Sequence, residues 1–399
     1  MIPVEFVLFG LTLLAVALLH RYALQCALAG LAVITAWKTA VAGFAEGSGV
    51  AGLLAHLGHE WVVLANLFCL LVGFGLLARH FELTRVPLAL PRVLPDDWRG
   101  GLVLLALVFV LSGFLDNIAA AMIGGSVAAT VYRERVHIGY LAALVASSNA
   151  GGAGSVIGDT TTTMMWIEGV GATDVVHAYV AAAAAFLVFA VPASIQQQRH
   201  SPIVRDTIGD VRLDWPRVAV VVAILGAAVL VNVGVNLRMP AAADSFPFIG
   251  AAVAGMLLLT APIRRPDWSI VPEAVRGSVF LLSLVLAASM MPVEELPPAS
   301  WPSTLGLGFL SAVFDNIPLT KLALEAGGYD WGFVAFAVGF GGSMVWFGSS
   351  AGVALSNRFP QARSVGAWLR GGWHVALGYV VGFTVLLLTL GWHPHPPLR

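Results

Sequence analysis

The sequence predicts an all-α polytopic membrane protein made of two inverted-topology repeats, and three observations carry that prediction. Apolar residues make up 58% of the 399-residue chain and charged residues only 11%, a balance suited to hydrocarbon rather than water. Apolar runs long enough to cross a ~30 Å hydrocarbon core as helices recur from one end to the other. The halves also repeat one another: "LSGFLDNI" at 111–118 matches "LSAVFDNI" at 310–317, and "GGAGSVIGD" at 151–159 matches "GGSMVWFGS" at 341–349.

In chain order, unbroken spans are predicted near 2–19, 22–43, 61–79, 175–195, 217–237, 246–263, 276–291 and 372–391. The first has Glu5 near its start and Arg21 after it, the reverse of a secretory leader, and reads as a retained helix. Four other apolar stretches are interrupted. Residues 101–132 and 301–326 are broken by Asp116-Asn117 and Asp315-Asn316, and residues 138–168 and 331–357 by Gly/Ser/Thr-rich segments. Each half therefore reads as three spans, an Asp-Asn hairpin, a broken helix and a final span. The first repeat occupies 1–198 and the second 216–399, joined by a polar cytoplasmic linker at 199–215.

The arms of each Asp-Asn stretch hold about 14 to 16 residues and rise roughly 21–24 Å, too little for two crossings. Re-entrant hairpins follow. Each half then crosses five times, an odd number that inverts the second half relative to the first. The basic residues agree. With both termini on the non-cytoplasmic side, seventeen of the 21 Lys and Arg gather on the cytoplasmic face, against Arg238, Lys321 and Arg399 opposite, with Lys38 near the end of a span.

Several classes fall away. A net charge of -1 without a basic stripe excludes a nucleic-acid partner. Cys26 and Cys69 both lie in apolar spans, so neither a disulfide framework nor a thiolate metal site is expected, and no cofactor is implied. His56, His59 and Glu60 form H-x-x-H-E, not the zinc order H-E-x-x-H, and read as surface residues of an external loop. His374 reads as interfacial, and "HPHP" at 393–396 as an exposed tail. Gly124-Gly125, Gly371-Gly372 and Ser343 read as close-packing positions.

Irregular backbone at membrane depth is tolerated only where it is buried in protein or lines a watery cavity. Gly151, Gly152 and Gly158, with their counterparts Gly341, Gly342 and Gly348, let the broken helices leave helical geometry. Asn149, Thr161 and Thr162 supply oxygens there, a donor set suited to a hard cation. A carboxylate at membrane depth is costly and defaults to function, which singles out Asp116, Asp159 and Asp315. Asp159 pairs with Ser349 across the repeat, so the halves are chemically unequal. Lys321 and Glu325, four apart on the outgoing hairpin arm, are expected to pair.

"NAGGAGSVIGDTTTTMMW" and the paired "DNI" hairpins resemble the NhaD-type sodium/proton antiporters of the ion transporter superfamily, which also holds arsenite permeases and divalent-anion/sodium symporters. The resemblance implies a scaffold domain from the first three spans of each half and a transport domain from the remainder, a homodimer formed through the scaffold, and elevator-like alternating access in the cell inner membrane. It also implies that Asp116, Asn117, Asn149, Asp159, Thr161, Thr162, Asp315, Asn316 and Ser349 handle ions and protons, with Na+ or Li+ held at Asp116, Asn149, Asp159, Thr161, Thr162 and Asp315. Gly154 and Val156 depart from the family, which has a tryptophan and a proline around the serine of the first broken helix.

The expected partners are thus small cations, protons and the lipid bilayer, and the chain is expected not to be an enzyme. A sodium-coupled carboxylate symporter and an arsenite-type permease of the same superfamily are the alternatives; three aspartates without a central arginine repel a carboxylate substrate. An intramembrane aspartyl protease would use Asp159 with Asp330 in "YD", but Val156 stands where G-x-G-D needs glycine.

Overall fold

The computed structural model describes residues 3–19, 22–89, 94–203, 212–238, 245–295, 298–314 and 316–396. Asp315 and residues 204–211 of the expected linker lie outside the described residues. Within them the chain is all-helical, and an isolated bridge between Phe44 and Gly47 is the one extended pairing.

The first half holds α1 (Val4–Leu18), α2 (Ala23–Trp37), α3 (Gly49–Leu83), α4 (Trp98–Ser112), α5 (Asn117–Val131), α6 (Ile138–Gly152), α7 (Thr160–Ile167) and α8 (Ala178–His200). The second half holds α9 (Trp215–Arg238), α10 (Phe248–Thr260), α11 (Val271–Ser289), α12 (Trp301–Ser311), α13 (Asn316–Ala326), α14 (Trp331–Gly341), α15 (Ser350–Arg358) and α16 (Trp373–Leu390). Short helical turns join some of these. Among the described residues five helices are long and apolar enough to cross a membrane, and large apolar side chains such as Leu187, Leu230 and Leu388 point outward. This is a multi-pass membrane protein.

Packing divides the helices into two groups. Helices α1, α2, α3, α9, α10 and α11 pack among themselves. Their apolar side chains form one cluster from α3, α9 and α10 and another from α1, α2 and α11. The remaining ten helices share the largest apolar cluster. There α5 packs against α15 and α7 against α13, so each half's Asp-Asn stretch meets the other half's broken helix. The groups meet chiefly where α11 contacts α13, with smaller contacts of α3 to α5 and α7. Helices α4 and α5 have 15 residues each and α12 and α13 have 11 each, rises of about 22 Å and 16 Å that fall short of a ~30 Å core.

Two expectations are corrected. Helix α3 begins at Gly49 rather than near 61, so His56, His59 and Glu60 are helical and not in an external loop. His59 is exposed, but His56 and Glu60 are buried with partners: His56 Nδ1 meets Glu46 at 3.2 Å and Nε2 meets Ser289 at 3.0 Å, while Glu60 meets Lys321. His374 is fully buried beside Gln196, not interfacial. The tail at 393–396 is exposed at His393, Pro394 and Pro396, as expected, and its backbone is held in place: His393 N–H donates to Asp330 and His395 N–H to the Tyr329 carbonyl, each at 2.9 Å.

Candidate functional site

The two breaks are built alike. Helix α6 ends at Gly152 and α7 starts after Asp159; α14 ends at Gly341 and α15 starts after Ser349. The capping residues share one extended conformation, φ -141° and ψ 144° at Asp159 against φ -141° and ψ 152° at Ser349. A Cβ on Gly152 would strike the Gly158 carbonyl, and one on Gly342 the Gly348 carbonyl, so each break folds back onto the helix it leaves. Gly158 likewise touches the Ser112 carbonyl at the end of α4, and Gly348 the Ala312 carbonyl just past α12. Ser311 Oγ donates to the Val338 carbonyl at 2.6 Å, while Ser112 Oγ donates to the Ser148 carbonyl. Glycine is required because the tip backbones sit against the breaks at atomic contact.

This construction aims the N-terminal ends of α5, α7, α13 and α15 into the interior, with acidic or polar residues at each. The positive ends of the helix dipoles offset part of the cost of placing carboxylates there. Asp116 caps α5 and is half-buried. Asn117 Nδ2 donates both to Asn149 Oδ1 at 3.0 Å and to Asp159 Oδ1 at 2.9 Å. Asn149 Nδ2 in turn donates to Ser343 Oγ at 2.9 Å, crossing from the first broken helix to the second. All four side chains are buried.

A second link joins the halves. Asn316 Nδ2 donates to Thr161 Oγ1 at 2.8 Å, tying the start of α13 to α7. The Thr162 hydroxyl points elsewhere, turning back to the Ser155 and Asp159 carbonyls so that it fastens the break. Ser349 Oγ accepts from Gly352 N–H at 3.3 Å and caps α15. Thus Asn117, Asn149 and Asp159 form one bonded set and Thr161 with Asn316 another, while Thr162 and Ser349 hold local backbone.

The oxygens this leaves are informative. Asn117 Oδ1 is buried without a hydrogen-bond donor among the described residues, as is Ser147 Oγ. An orphaned buried acceptor costs about 1–3 kcal/mol, a cost that a hydrogen-bond donor or a cation removes. A Cβ on Gly339 of α14 would lie 2.8 Å from Asp159 Oδ2, so the missing side chain makes room for the carboxylate.

Sequence reasoning missed four participants. Ser343, read as a packing residue, accepts from Asn149. Gly339 faces Asp159, and its signal was available because it occupies the position matching Asn149 in the paired glycine motifs. Glu60 and Glu168 both reach Lys321, at 3.0 Å and 2.8 Å, beside the expected Glu325 at 2.7 Å. Asp330 is not a free loop carboxylate: it caps α14, is buried, and contacts His177 at 2.6 Å. No group of three or more His, Cys, Asp or Glu suited to a resident metal occurs among the described residues.

No family model matches the chain. It is 29% identical over 288 residues to sodium/proton antiporter 1 of Arabidopsis thaliana, covering 62% of this chain and 48% of that protein. It is 26% identical over 329 residues to the Na(+)/H(+) antiporter NhaD of Vibrio cholerae, covering 71% of this chain and 68% of the relative. Sodium/proton antiporter 2 of Arabidopsis thaliana matches at 27% over 287 residues, 61% of this chain and 66% of that protein. The chain thus spans about half the length of the first of these relatives, and the resemblance to NhaD-type antiporters extends well beyond the motifs that suggested it.

Proposed function

We propose that this chain is a secondary transporter, not an enzyme, that exchanges Na+ or Li+ for H+ across the cell inner membrane by alternating access. The observation that carries the reading is the Asn117 amide: its nitrogen is spent on Asn149 and Asp159 while its buried oxygen has no donor among the described residues. That oxygen, the Asp159 carboxylate and the helix-break carbonyls make a hard-oxygen environment with negative charge, which fits a small alkali cation. The names of the relatives agree with it.

The exchange follows from burial. A carboxylate in a dry site is tolerated when something neutralises it. A proton and a cation each do so, and they compete for the same oxygens, so loading one releases the other. Asp116, Asn117, Asn149, Asp159, Thr161 and Asp315 are the proposed cation positions, with Thr162, Asn316 and Ser349 supporting them.

The proposed architecture is two inverted repeats with re-entrant hairpins at 101–132 and 301–326, supported by arms too short to cross and by the matched breaks. The six-helix group of α1–α3 and α9–α11 is the proposed scaffold and the other ten helices the moving transport domain. Homodimerisation through the scaffold and termini on the non-cytoplasmic side complete the proposal.

Reconstitution in liposomes with a trapped pH dye tests it. Pulses of sodium or lithium against an imposed proton gradient are expected to move protons, and Asp159→Asn is expected to abolish the response while the folded protein stays in the membrane. A response to citrate with sodium alone, or full activity of Asp159→Asn, rejects the assignment.

A further inference from the structure

Lys321 sits on α13 five residues beyond Asn316, and Glu168 follows α7 seven residues beyond Thr161. At 1.5 Å per residue these offsets are about 7.5 Å and 10 Å. The two helices joined at the site by Asn316 and Thr161 are therefore joined again, roughly two turns away, by an ion pair of 2.8 Å. On the proposed topology this second junction lies between the site and the external face. The third partner comes from the other helix group: Glu60 of α3 reaches the Lys321 ammonium at 3.0 Å. Glu325, one turn on along α13, completes the set at 2.7 Å.

The burial is severe. Side-chain exposure is 2% at Lys321, 4% at Glu60 and 9% at Glu168, and only Glu325 is open at 34%. Buried ion pairs are poor sources of stability but good at fixing one discrete arrangement. Elsewhere the boundary is different in kind: Leu115, Ala119 and Ile123 pack against Phe81 and Leu225, apolar surfaces that set no register. Among the described residues, charge thus fastens one place on a boundary that is elsewhere apolar. If Glu60 separates, Glu168 and Glu325 remain on the moving side to keep the ammonium paired.

We propose that Lys321 is a gate residue: its bond to Glu60 closes the external end of the boundary between α3 and the α7/α13 pair, and each transport cycle breaks and remakes it. The gate rests on the proposed division into a fixed and a moving group.

The test is thiol accessibility. In a Cys26→Ser/Cys69→Ser background, Leu67→Cys places one thiol on α3, seven residues beyond Glu60 on the same face, at a position 1% exposed. In right-side-out vesicles, a membrane-impermeant maleimide added outside is expected to label it slowly. Labelling is expected to quicken by about tenfold or more with Lys321→Gln, the size expected for removing a desolvated ion pair. Glu60→Gln, which leaves Lys321 paired with Glu168 and Glu325, is expected to do the same and guards against misfolding of the lysine variant. Glu325→Gln is expected to stay within about twofold. Unchanged labelling in both Lys321→Gln and Glu60→Gln overturns the gate. Labelling needs no transported ion, so failure of sodium or lithium to move protons in the unmodified protein would reject the antiport reading separately.

Discussion

Asn117 and Asp159, on different helices, are held 2.9 Å apart by a bond from the Asn117 amide to a carboxylate oxygen, and the same nitrogen also reaches Asn149. The asparagine therefore fixes where the charge points. A hydrogen bond to a charged group contributes about 1.5–3 kcal/mol, so Asn117→Ala is expected to raise the half-saturating sodium concentration about tenfold to a hundredfold. Cation titration in the dye-loaded liposomes reads this. An unchanged titration would remove Asn117 from the site.

Gly339→Ala approaches the same carboxylate from the opposite side. The new Cβ would lie 2.8 Å from Asp159 Oδ2, closer than real contacts allow, so the carboxylate must move. Alanine is the better helix former by about 1 kcal/mol, so the folded protein is not expected to suffer. The expected outcome is cation affinity weakened about tenfold with thermal stability held. Gly255→Ala, where nothing lies within 4 Å of the added methyl group, is the control and should alter neither.

How much of this was legible in the sequence depends on which physical signal each residue leaves. Long apolar runs announced most helices, and the glycines of both breaks were visible because backbone contact excludes every other side chain. Glu60 was not. A hydropathy ruler stops at polar residues, and nothing local reveals that Glu60 is paired with Lys321, 261 positions away. Ser343 looked like a packing residue for the same reason, since its partner Asn149 lies in the other half. Pairing across the halves is a property of the fold, and the sequence marks only the residues that need it.

Thr161 and Thr162 are neighbours with separable roles. Thr161 Oγ1 accepts from Asn316, so Thr161→Val leaves a buried amide donor without its partner and is expected to cost about 1–3 kcal/mol of stability along with transport. Thr161→Ser keeps the oxygen and is expected to recover most of both. Thr162→Val instead releases the Ser155 and Asp159 carbonyls and should loosen the break. Thermal unfolding in detergent beside transport rates separates them; equal behaviour of Thr161→Ser and Thr161→Val would mean that the hydroxyl is not used.

The loop before α6 carries a pH dependence. His137 Nδ1 accepts from Gly139 N–H at 3.1 Å and so caps the helix, which it can do only while that nitrogen carries no proton. Burial, and secondarily the neighbouring His200, hold the His137 imidazole below its ordinary value. The folded state therefore binds fewer protons here than the unfolded chain, whose histidine titrates near pH 6.5. The cap's stabilisation is full above that pH and is lost as pH falls through the folded value, at a cost of about 1 kcal/mol, the usual worth of an N-cap. Thermal unfolding followed from pH 8 to pH 5 is expected to show a decline that His137→Ala flattens, because that variant has already lost the cap at every pH. A variant that declines as steeply as the parent would place the acid sensitivity elsewhere.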